Sequence, residues 1–233
     1  MKVAIITGAS VGIGSSTAQT FLNEGFTVFN LARRQCAIDG VTSLRCDLSS
    51  QTSIDTACDT LKKALTDCSE ATLIHNASQM KKDSVGDCSS DSLNQVMATN
   101  VIAVNSLNQH LLPLMPTSSS VLYIGSTLSE KAVPGSFSYV ISKHAQLGMM
   151  RATCQDLMGS GLHTAMICPG FTDTEMLRTH LGSDPSIEAG VAAMNSFNRL
   201  IEPEEIAEVI RWAHHNPVIN GAVLHANLGQ KEN

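Results

Sequence analysis

Apolar residues follow two alternating rhythms along this chain. Short continuous runs rich in β-branched residues occur at Val3–Thr7, Thr27–Leu31, Ser43–Cys46, Ala71–His75, Ser120–Ile124, His163–Cys168 and Ala222–His225. Between most of them lie stretches with apolar positions at helical spacing: Ser15–Glu24, Thr52–Leu65, Asp91–Leu112, Tyr139–Met158 and Pro203–His214. Continuous apolar strands are those buried on both faces, and strands that alternate with helices are joined by crossovers. The pattern therefore predicts an α/β fold, a doubly wound parallel sheet of about seven strands with helices on both faces. Asp91 is placed to cap its helix, and Pro203 followed by Glu204 and Glu205 suits a helical first turn. Only about ten residues separate Leu31 from the next strand, too few for a helical crossover, so a short loop or single turn is expected there. The Pro/Gly/Ser-rich piece from Gly182 to Gly190 reads as a loop. No repeat or linker divides residues 1–233, which read as one domain.

Composition narrows the partners. Lysine plus arginine number 15 against 21 acidic residues, a net charge of −6. That balance argues against nucleic acid and against an anionic membrane surface. No run approaches the 18 or so apolar residues of a membrane span, and the N-terminal MKVAIITGAS is too short an apolar run for a secretory signal. The seven cysteines are odd in number and contain no Cys-x-x-Cys pair. They read as small core residues of a reduced, cytoplasmic protein, with no legible metal site.

Chemistry enters at the first strand's end. TGASVGIG, residues 7–14, places Gly8, Gly12 and Gly14 where the strand turns into a helix, with Ser10 and Ile13 between them. Glycines there permit a tight turn and let backbone N–H groups and the helix dipole meet a pyrophosphate. The plainer reading is a tight strand–helix turn; the position after the first strand favours a dinucleotide. The second strand ends in Ala32-Arg33-Arg34. A site selective for NAD carries an acid here for the ribose 2′-hydroxyl. Ala32 cannot serve, whereas Arg33 could pair with a 2′-phosphate, so NADP(H) is expected and NAD(H) is the alternative. Asp47, followed by Leu48, is placed to accept from an adenine amino group or to cap the next turn.

Tyr139 and Lys143 stand four apart, so on a helix they share a face. Taken with the motifs before and after them, they make the chain resemble the short-chain dehydrogenase/reductase family over nearly its whole length. In that resemblance TGASVGIG is the cofactor loop, Asp47 with Leu48 the adenine contact, and Asn76-Ala77 the turn after the fourth strand. Asn100, in MATNVIAVN, matches a helix asparagine that holds a water in a proton relay. Ser126 precedes Tyr139 by 13 residues, the family distance, and Pro169-Gly170 with Thr172 and Thr174 matches the turn at the nicotinamide end.

The resemblance implies a Rossmann-type fold and catalytic residues Asn100, Ser126, Tyr139 and Lys143. Tyr139 would donate a proton to a carbonyl oxygen, its pKa lowered by the Lys143 ammonium, which would also bond the cofactor ribose. It implies an NADP(H)-dependent oxidoreductase for a small-molecule carbonyl/secondary-alcohol pair, such as a 3-oxoacyl-carrier reductase or an alcohol or sugar dehydrogenase. A homodimer or homotetramer paired through Asp91–Leu112 and Tyr139–Met158 is also expected. A nucleotide-sensing module that lost turnover is the reading from another class. Ser78 departs from the glycine that follows Asn-Ala in the family, and His75 reads as a strand-end residue bonded to backbone. Residues 175–200, with Met176, Leu177, Met194 and Phe197, are expected to form a lid over the substrate, and Lys81-Lys82 reads as a solvated pair or a steering charge.

Overall fold

The computed structural model describes residues 1–182 and 185–230. Seven strands form one parallel sheet in the order β3-β2-β1-β4-β5-β6-β7. They are β1 (Lys2–Thr7), β2 (Thr27–Ala32), β3 (Val41–Arg45), β4 (Glu70–His75), β5 (Ser120–Ile124), β6 (His163–Pro169) and β7 (Val223–Ala226). Each matches a predicted strand within two residues. The chain moves outward from β1 to β3, then returns to place β4 on the other side of β1. That reversal opens a crevice at the carboxyl ends of β1 and β4.

Strand side chains alternate between two cores, as the period of two requires. Val3, Ile5, Leu73, Val121 and Tyr123 pack against α2 (Gln51–Thr66), α4 (Ala103–Leu111) and α5 (Phe137–Asp156). Ala4, Ile6, Ile74, Leu122 and Ile167 face α1 (Gly12–Asn23) and α8 (Pro203–His215), meeting Phe21, Ile206 and Ile210. Each buried leucine or isoleucine contributes about 1.5–3 kcal/mol relative to exposure. Residues 33–40 cross from β2 to β3 without a helix, as their number requires. Pro203 opens α8, and the Glu205 carboxylate reaches back to accept from the Glu202 N–H at 2.9 Å.

Three readings need correction. Ser89, not Asp91, caps the third helix, α3 (Ser90–Met97): its hydroxyl accepts from the Ser92 N–H at 3.1 Å, while Asp91 lies within the first turn. The stretch Asp91–Leu112 is not one α-helix, because a π-helical turn at Ala98–Ile102 separates α3 from α4. Residues 182–190 are not a continuous loop. Helix α6 (Glu175–Leu181) ends just before that stretch and α7 (Pro185–Ala192) occupies most of it, while Ser183 and Asp184 lie outside the described residues. Proline suits a first helical position, and one glycine inside a short helix costs only about 1 kcal/mol against alanine, so the same letters serve helix and loop.

Candidate active site

The strand carboxyl ends border a cleft of about 1420 Å³. Its floor is the glycine turn, with Gly8, Ser10, Gly12 and Ile13 exposed to it; Gly14 lies beneath. Gly8 and Gly12 have φ of +72° and +56°, the region glycine enters without a Cβ penalty. The turn is fastened from both sides. Asn76 donates from Nδ2 to the Thr7 and Gly8 carbonyls at 3.0 and 3.1 Å, and the Thr7 hydroxyl accepts from the Asn76 and Ala77 N–H groups at 3.0 and 2.9 Å. On the other side Asn30 Oδ1 accepts from the Ala9 N–H at 2.8 Å. Asn30 escaped the sequence reading, although a buried amide in an otherwise apolar strand was a legible signal.

One wall carries Arg33, Asp47 and Leu48. Arg33 is exposed, and no ion pair or hydrogen bond engages it among the described residues. Asp47 Oδ1 accepts from the Ser49 N–H at 2.9 Å and the Ser49 hydroxyl at 2.7 Å, bonds that hold its carboxyl below the usual range. The turn-capping role expected as an alternative is therefore present, and the residue still lines the cleft. Asn76, Ala77, Pro169, Gly170, Thr172 and Thr174 border the middle. The Thr174 hydroxyl caps α6 by accepting from the Leu177 N–H at 3.2 Å. Arg34, beside Arg33, crosses the cleft mouth to Glu175 at 3.1 Å.

Tyr139, Lys143 and Ser126 meet at the inner end. Asp83 sets the first turn of α5, accepting from the Ser138 N–H at 3.0 Å and the Ser138 hydroxyl at 2.5 Å. A carboxylate at a helix N-terminus also suits the dipole. Asp83 lies 55 residues from Ser138 in sequence, so no local pattern could have found it. Ser126 caps a 3-10 turn, its hydroxyl accepting from the Leu128 N–H at 3.1 Å. The resemblance implied that Lys143 lowers the tyrosine; instead, burial pushes the Tyr139 phenol up to about 12. The Ser126 and Ser78 hydroxyls oppose that rise, although Ser78 Oγ is buried without a partner of regular hydrogen-bond geometry. Lys143 does not offset the burial because its ammonium donates elsewhere, to the Ile124 carbonyl at 2.8 Å and to Gln146 Oε1 at 3.0 Å. Burial in turn pulls Lys143 down to about 8.

Asn100 is not part of the cleft wall. It is fully buried behind it, with Oδ1 accepting from the Gln79 N–H at 2.7 Å and Nδ2 donating to the Gln79 carbonyl and the Ser142 hydroxyl, each at 2.9 Å. His75 bonds a side chain rather than backbone: Nε2 meets Asn108 Oδ1 at 2.8 Å, and burial holds it neutral, at about 4. Of the expected lid residues, Met176, Leu177 and Met194 line the cleft, whereas Phe197 lies outside it and is 64% exposed. Lys82 lines the cleft; Lys81 instead donates to Ser92 and Gln95. At the far end of the sheet, Glu70, His214 and His215 bring donor atoms within 4.8 Å of one another. Lys2, Ser120 and Glu24 already engage those groups.

A family model described as enoyl-(acyl carrier protein) reductase matches residues 8–231. The chain belongs to the short-chain dehydrogenase/reductase family. Among its relatives is the A-factor type gamma-butyrolactone 1′-reductase (1S-forming) of Streptomyces virginiae, 28% identical over 91% of this chain and 87% of the relative. Another is the 3-oxoacyl-[acyl-carrier-protein] reductase of Escherichia coli K12, 24% identical over 98% of this chain and 96% of that one. The crystal structure of a short chain dehydrogenase family protein from Francisella tularensis superposes with a TM-score of 0.90 at 24% identity, covering 98% of both chains. This short-chain dehydrogenase/reductase is accordingly an oxidoreductase of carbonyl/alcohol pairs, from a family that uses nicotinamide cofactors. No helix among its described residues is long and apolar enough to cross a membrane.

Close packing of the turn requires its glycines. A Cβ at Gly12 would lie 3.0 Å from Thr174 Cγ2, and one at Gly14 would lie 2.3 Å from the Gly8 carbonyl oxygen and 2.5 Å from Asn76 Nδ2. Gly14→Ala is therefore expected to destabilise by at least about 2 kcal/mol in urea unfolding. In a helix without that backbone contact, the same change would stabilise by roughly 1 kcal/mol.

Proposed function

We propose that this enzyme is an NADP(H)-dependent carbonyl reductase in which Tyr139 is the proton donor, Ser126 binds the carbonyl oxygen and Lys143 supports both tyrosine and cofactor. The observation that carries this reading is the convergence of a buried phenol and a buried ammonium on one cleft, beside Ser126. The glycine turn and the N-terminus of α1 would hold the pyrophosphate, and Arg33 the 2′-phosphate. Asp47 would reach the adenine, and Pro169–Thr174 would border the nicotinamide. When bound, the cofactor supplies hydride to the carbonyl carbon.

The residues then do the rest. Ser126 donates to the carbonyl oxygen as negative charge develops there. Tyr139, held protonated at neutral pH, gives its proton to that oxygen. The developing alkoxide is a stronger base than phenolate, so the transfer runs downhill. The direction of reduction is drawn from the relatives, both of which are named reductases. Ketones, lactone-ring ketones and 3-oxoacyl thioesters are the first substrates to try with NADPH.

Tyr139→Phe keeps ring and helix, so NADPH affinity and melting temperature should hardly change. Reduction should fall at least about 10²-fold in kcat, because the alkoxide loses its acid; surviving turnover would show that the tyrosine only packs. Fluorescence titration should give at least about tenfold tighter binding of NADPH than of NADH. That preference should collapse in Arg33→Ala, and equal dissociation constants in the native protein would overturn the cofactor choice. Assembly is read from two exposed apolar residues at helix ends, Ile102 just before α4 at 57% and Met158 just past α5 at 75% exposure. Light scattering at micromolar concentration should return a homodimer or homotetramer, and a monomer mass would refute it.

A further inference from the structure

Lys143 is 1% exposed, and among the described residues no carboxylate pairs with it. Its charge is met by two neutral carbonyl groups, Ile124 O at the end of β5 and Gln146 Oε1 one turn along α5. Gln146 is itself 1% exposed, and its Nε2 donates to the Asn100 carbonyl at 2.6 Å, inside the π-helical turn. A carbonyl only accepts, so this second bond decides which end of the amide faces the lysine. Two backbone carbonyls from different elements thus hold a lysine–glutamine pair in one orientation.

We infer that Gln146 is a positioning residue for the reaction, its amide acting as a built-in link that keeps Lys143 charged and fixed at the inner end of the cleft. The inference rests on the reading of Tyr139 and Lys143 given above. Burial already pulls the lysine down, and a fixed carbonyl dipole is what opposes it. Losing that dipole would strip one of two acceptors from a dry ammonium and leave the Asn100 carbonyl without its donor. The other groups facing Lys143 cannot take over. Tyr139, on the same helix, lies with its ring centroid 5.5 Å from Nζ. The Cys168 thiol of β6 is pushed up by burial and stays neutral, and Glu130 acts only from beyond it. The amide is also no proton channel. Its Nε2 already donates and its Oε1 already accepts, so a proton cannot pass along this link as it would through a water.

The sign follows from the charge. Reduction needs the ammonium, so activity falls as pH rises through the ionisation of Lys143. Anything that lowers that ionisation moves the fall to lower pH. The test uses cofactor-free protein labelled with ¹³C-lysine, the Lys143 Cε signal being identified by its loss in Lys143→Met. In the native protein it should titrate near 8. Gln146→Met, similar in length and without polar atoms, should titrate at lower pH, and Gln146→Glu, which supplies a carboxylate, at higher pH. Turnover with NADPH near neutral pH should drop about tenfold in Gln146→Met, in kcat more than in KM, with its alkaline limb displaced in the same direction as the titration. Identical Lys143 midpoints in all three proteins would overturn the inference, even if melting temperatures fell. Should Gln146→Met not fold, the direction of the Gln146→Glu shift decides alone. Displaced midpoints in a protein that reduces no substrate would support the lysine link while removing the reductase reading.

Discussion

A buried ammonium without a carboxylate has to be satisfied by fixed dipoles, and this requirement shapes the catalytic end of the protein. Lys143 needs the Ile124 carbonyl, which exists at that point only because β5 ends there. It needs Gln146, which in turn needs the Asn100 carbonyl in the turn between α3 and α4. The π-helical winding at Ala98–Ile102 belongs to the same construction, since it also aims the Asn100 side chain at Gln79 and Ser142. Such one-turn departures from α-geometry concentrate at functional sites. Strand end, helix face and irregular turn are thereby locked into one unit around a single charge, and the phenol of Tyr139 inherits its position from that unit and from Asp83.

The sheet was legible because a parallel strand buried on both faces writes itself as an unbroken apolar run. All seven runs became strands, and the short step from β2 to β3 followed from chain length alone. Where glycine, proline and serine carried the reading it failed, as at α7, because those letters suit a helix start as well as a loop. Most of the cleft was legible too. Gly8, Gly12, Asp47, Asn76, Ser126, Tyr139 and Lys143 converge as the spacing and the resemblance implied. Asn100 was recognised by its motif but stands behind the wall.

What stayed hidden depends on contacts between distant segments. Asp83 reaches the start of α5 from a loop that has no periodicity to read. Gln146 did leave a trace: Lys143, Gln146, Leu147 and Met150 recur at helical spacing, and all four are buried. A polar residue on such a face has to find a partner, but nothing local says which. The ionisation of Tyr139 was misjudged for a related reason. Spacing put the ammonium and the phenol on one face, yet could not show that the carbonyl of Ile124 and the amide of Gln146 had the stronger claim on the lysine.

The ion pair between Arg34 and Glu175 ties the end of β2 to the first turn of α6 across the mouth of the cleft. Its side chains are 60% and 57% exposed. A pair so wet is worth roughly 0–1 kcal/mol and weakens as salt is added. Breaking it costs little more than thermal energy, so the pair behaves as a loose clasp rather than a bolt. Added salt therefore loosens the tie between β2 and α6 while the buried contacts at the inner end of the cleft are screened far less.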